Sequence, residues 1–97
     1  NCNEYFFDTG LENIKNPSCR LTKIEGLETS VASAYGTMKR AEFESKLYMI
    51  QYQILYKTKI INISFSFNKL ENEKDRFLAD HLAKKITNTI LINNLWK

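Results

Sequence analysis

Between Ala41 and Asn68, large side chains recur at every second residue, and this alternation constrains the fold more than any other feature of the chain. Phe43, Leu47, Met49 and Leu55 share one parity, while Tyr48, Ile50, Tyr52, Ile54 and Tyr56 share the other. A strand with bulky groups on both faces is expected to lie centrally in a sheet or under two layers. Lys57-Thr58-Lys59 permits a reversal, after which Ile61, Ile63, Phe65 and Phe67 point inward and Asn62, Ser64 and Ser66 outward. The stretch reads as a hairpin whose second arm has one dry face.

Two shorter strands are expected upstream. From Arg20, Leu21, Lys23 and Glu25 alternate with Thr22 and Ile24 until Gly26 breaks the pattern. A second strand runs from Glu28 to Tyr35, with Thr29, Val31, Ser33 and Tyr35 on one face and Gly36 ending it. Residues 1–19 read as a cap: the aromatic cluster Tyr5-Phe6-Phe7, then a short helical candidate carrying Leu11 and Ile14.

Beyond Asn72 the period lengthens to that of a helix. Leu78, Leu82, Ile86 and Ile90 recur every four residues, flanked by Ala79 and Ala83. Asn72 caps this helix, and Glu73 and Asp75 near its start with Lys84-Lys85 later complement its dipole. It is expected to end near Thr89, with Ile90-Leu91-Ile92 extended and Leu95 and Trp96 packed on the domain or a neighbour. Phe65, Phe67, Leu78, Leu82 and Ile86 are the predicted strand–helix core. The expected fold is α+β, about a four-stranded antiparallel meander sheet with the C-terminal helix packed on one face and a short N-terminal helical cap. One domain, residues 1–97, divides into cap 1–19, strands 20–68 and helix 72–90.

Charge and cysteines bear on compartment. The net charge is +3, but the basic residues gather only in pairs, Lys39-Arg40, Lys57 with Lys59, and Lys84-Lys85, the first and last with acids near, so no nucleic-acid partner is expected. The longest unbroken apolar run, Leu47 to Ile50, is far short of the roughly 20 residues of a membrane-spanning helix. Cys2 and Cys19 admit two readings, a disulfide or two free thiols in a reducing cytosol. The even count, and bends at Gly10 and Pro17 that bring the two together, predict the disulfide. A start at Asn-Cys-Asn without initiator Met reads as a chain that begins after processing or at a boundary chosen within a longer sequence, and either origin permits export. Together these place the protein among secreted or periplasmic, cell-envelope proteins.

Chemistry-bearing motifs are sparse. The single histidine, His81, lies off the Leu78-Leu82-Ile86 stripe and reads as a boundary or solvent-facing residue, and a Cys19–His81 dyad needs a thiol that the disulfide consumes. Glu71, Glu73 and Asp75 read as a helix start and not as metal ligands, and Glu42 and Glu44 as a solvated strand edge. Gly10, Gly26 and Gly36 stand apart and form no phosphate loop. The expectation is a protein that is not an enzyme and uses no metal and no cofactor.

Tyr48, Ile50, Tyr52 and Tyr56 on one strand face form the candidate ligand- or partner-binding site. One helix covers one sheet face, so the other must be covered by the cap, with Phe6 and Phe7, or by another molecule, and a homodimer is the expected solution. The predicted function is that of a small exported non-enzymatic protein that binds a protein partner. The alternative is a small-ligand or lipid carrier with a pocket between sheet and helix.

Tyr52-Gln53-Ile54-Leu55-Tyr56, the return strand Ile60 to Phe67, and a helix with an acidic start ending Ile86-Thr87-Asn88-Thr89-Ile90 together resemble the C-terminal half of PsbP/Mog1-like domains. The resemblance covers residues 28–92 and implies a non-enzymatic binding or assembly role, often in exported bacterial proteins. It carries over no functional residue.

Overall fold

Three two-residue turns organise the chain. Glu25-Gly26, Ala41-Glu42 and Lys57-Thr58 each join consecutive strands, and Glu25, Gly26, Ala41 and Lys57 all adopt positive φ, the geometry that matches the twist of tight hairpins. The computed structural model describes residues 2–6, 9–68, 70 and 72–95. These form a 3-10 helix η1 (Cys2–Phe6), strands β1 (Glu12–Ile24), β2 (Leu27–Arg40), β3 (Phe43–Tyr56) and β4 (Lys59–Asn68), and helix α1 (Glu73–Leu95). The strands pair in the order β1-β2-β3-β4, all antiparallel. The expected α+β meander with one C-terminal helix and a short N-terminal helical cap is the fold found.

The elements run longer than the sequence pattern indicated. β1 reaches back to Glu12, so Leu11 and Ile14 belong to no helix and residues 12–19 leave the cap for the sheet. Gly36 does not end β2; it is buried within it, at the closest approach of Leu11 and the Glu12 backbone. α1 continues through Ile90-Leu91-Ile92 to Leu95, because Leu91 is buried against the sheet and Leu95 packs on the same core. Phe7 and Trp96 lie outside the described residues.

The helix covers one sheet face and the N-terminal turn part of the other. The first carries Val31 of β2 with Tyr48, Ile50, Tyr52 and Ile54 of β3, all buried under α1, and Ile61, Ile63, Phe65 and Phe67 of β4 pack half-buried against them. The second carries Ala32, Ala34 and Met49 beneath η1, whose Phe6 is fully enclosed with Leu11. The Cys2–Cys19 disulfide ties η1 to β1 across a Cα separation of 5.5 Å. Small Ala32 and Ala34 let one aromatic ring on a five-residue helix close over the middle of this face, while Leu21, Phe43, Leu55 and Ile60 on the same face stay largely exposed.

The helix face is the principal correction. Leu78, Leu82 and Ile86 are not core residues: the buried line is Ala79, Ala83, Thr87 and Leu91. The reason is steric. The sheet face below already presents Tyr48, Tyr52 and Phe65, so the helix can settle close only through its smallest side chains, and the larger aliphatic line, one residue away, is turned aside by about 100°.

Candidate functional site

The same packing decides the fate of the tyrosine ladder. Tyr48, Ile50 and Tyr52 are each only 2% exposed beneath α1, so they serve as core and offer no surface to a macromolecule, while Tyr56 lies half-buried at the end of β3. The Tyr48 hydroxyl donates a 2.6 Å hydrogen bond to Asp80 Oδ1, latching helix to sheet. Burial first, then that carboxylate, push the Tyr48 phenol well above its ordinary range; burial also raises Tyr52, against the opposing charge of Arg20.

On the flank bearing Asp80, His81 and Lys84, the helix shares with Arg20, Val31 and Ser33 a cavity of about 200 Å³. Ile50 and Tyr52 reach this cavity, whereas Tyr48 and Tyr56 do not line it. His81 is exposed and faces solvent. Glu42 and Glu44 are exposed too, Glu42 in the β2–β3 turn. Among the described residues no group of His, Cys, Asp or Glu has the arrangement to hold a metal, and no helix is long and apolar enough to cross a membrane.

The opposite flank is apolar. Leu78 and Leu82 precede the buried Ala79 and Ala83 as Asp80 and Lys84 follow them, so the aliphatic line projects away from β1 and β2 and overlooks β4. Leu78, Leu82, Ile86 and Ile90 are 59, 48, 37 and 38% exposed, a ridge at four-residue spacing that no described element covers.

Beneath that ridge β4 is an open edge. Its ten residues pair with β3 without a register shift, so one whole row of its backbone N–H and C=O groups faces outward. From Ile60 to Asn68 it has neither a charged residue nor a proline, and no residue of positive φ. The other edge, β1, is blunted by Pro17, by two register shifts, by positive φ at Asn13 and Asn16, and by Lys15, Arg20 and Lys23. The sequence showed both components of this surface but misplaced the aliphatic line, because periodicity gives a stripe and not the neighbour it faces.

No protein-family model matches the chain, and no match is found among curated proteins or solved structures. The geometry of the chain itself therefore carries the functional reading.

Proposed function

We propose that this protein acts by binding another protein chain through the β4 edge and the ridge above it, and that the bound chain is a second copy. The observation that carries the reading is the contrast between the two edges: β1 is protected against strand addition and β4 is not. An unprotected edge with an apolar flank is a template for a further strand.

Self-pairing fits the dimensions. β4 spans about 33 Å and α1 about 35 Å at their respective rises, and the chain reverses between them, so Leu82 and Ile86 stand near the strand midpoint at Ile63-Ser64. A two-fold axis through that point, perpendicular to the sheet, pairs β4 with its copy antiparallel and keeps both helices on one side, ridge against ridge. The footprint, about 33 Å by 20 Å or on the order of 650 Å² if flat, approaches the roughly 800 Å² per partner of a stable interface. The disulfide supports an oxidising compartment, hence a secreted or cell-envelope protein. The likeness of residues 28–92 to PsbP/Mog1-like domains points to the same kind of role.

Sedimentation analysis tests the reading. The native chain should dimerise at concentrations on the order of 10 μM, and Ile86→Glu, at an exposed position, should return it to monomer with unchanged circular dichroism. A chain still monomeric at about 100 μM, or a dimer indifferent to Ile86→Glu and Leu82→Glu, overturns it.

A further inference from the structure

A larger cavity, of about 650 Å³, opens where β1 departs from regular pairing, between that strand and the first turns of α1. From Ser18 to Ile24, β1 pairs residue for residue with β2; upstream it slips twice, once on each side of Lys15, and each slip leaves an extra residue in β1. Asn13 and Asn16 take up the slack with φ of 53° and 52°, and with Lys15 they line the cavity. Bulges of this kind re-aim side chains, and non-glycine residues held at positive φ are stored strain that concentrates at binding sites.

The lining has two characters. Tyr35, Leu47 and Leu70 supply apolar surface, while Lys15, Lys46 and Arg76 set three cations against the single carboxylate of Glu73. Among the described residues none of these four makes an ion pair, the one salt bridge being Lys23–Glu28 elsewhere on the surface. Arg76 also holds its Nε buried without a hydrogen-bond partner among the described residues. A guanidinium anchored in this way and flanked by two ammonium groups presents its outer N–H groups to a carboxylate or phosphate oxygen, the acceptor such a set binds best.

We infer that this cavity is a binding site for an amphipathic anion, a carboxylate or phosphate carried on an apolar body. The three cations would take the headgroup and Tyr35, Leu47 and Leu70 the body, in a volume within the range of small-molecule sites. The site is remote in kind from the β4 edge and does not depend on it: one reads an anion, the other a strand.

Calorimetric titration of the intact chain, with octanoate, octyl phosphate, 1-octanol and acetate as probes, separates the two characters. At least one of the two amphipathic anions should bind at a single site, with 1-octanol and acetate each roughly tenfold or more weaker, since one lacks the charge and the other the body. Arg76→Ala should weaken the bound anion by about tenfold, and Lys46→Ala, at an exposed position that does not threaten folding, by about threefold or more. Leu82→Ser, on the far flank of the helix, should leave the affinity unchanged, which excludes adhesion to the apolar ridge. The inference is overturned if 1-octanol binds as tightly as the anions, if no probe binds at millimolar concentration, or if Lys46→Ala and Lys15→Ala leave the affinity where it was.

Discussion

A Cβ on Gly36 would stand 2.6 Å from Leu11 Cγ and 2.8 Å from the Glu12 carbonyl oxygen, and the second contact is backbone that cannot swing aside. Gly36→Ala should therefore cost about 1–3 kcal/mol, read as a fall in the urea midpoint. Tyr48 sets a different kind of limit. Its folded phenol titrates above the ordinary value of 10.0, so in alkali the unfolded chain loses the proton first. Stability from this group is then intact below pH 10 and lost as pH rises further, and Tyr48→Phe should remove that part of the alkaline slope. Tyrosinate absorbance should show Tyr48 and Tyr52 ionising late, and early ionisation of both would mean that the helix does not cover them.

At the scale of the element, the helix separates two aliphatic lines that the sequence makes look equivalent. Ala83 is fully buried and Leu82 is nearly half exposed. Ala83→Leu should cost about 1–3 kcal/mol by overpacking against the sheet. Leu82→Ala, measured in dilute protein, should cost under about 1 kcal/mol, less than the roughly 2–5 kcal/mol of a core leucine. Equal losses from the two in thermal unfolding would place the wrong line on the sheet. Helix periodicity and the acidic start were legible in residues 72–90. The inward face was not, because it depends on how much room Tyr48, Tyr52 and Phe65 leave beneath the helix.

For the whole molecule, α1 covers one sheet face along its length, whereas η1 covers the other with Phe6 alone at full burial and is held by one covalent link. Reduction of Cys2–Cys19 should lower the unfolding free energy by about 2–4 kcal/mol, seen as a lower melting temperature in reductant. Local opening should fall on Cys2–Phe6 and the start of β1, while the β2–β3 ladder and α1 keep their hydrogen-exchange protection. Equal loss of protection in the start of β1 and in α1 would show that the cap and the helix fold as one unit.

Strand and helix periods, the reversals at Gly26 and Lys57-Thr58 and the disulfide were set by local chemistry and could be read along the chain, whereas the turn at Ala41-Glu42 carries no glycine or proline and the end of β2 was misplaced at Gly36. The tertiary structure alone decided which side of the helix meets the sheet, how far Glu12–Ile24 pairs as a strand, and that Tyr48, Ile50 and Tyr52 are core and not surface. Those outcomes depend on the sizes of side chains brought together from distant parts of the sequence. The smallest line of the helix won the contact, and the aliphatic line it displaced became the exposed ridge above β4.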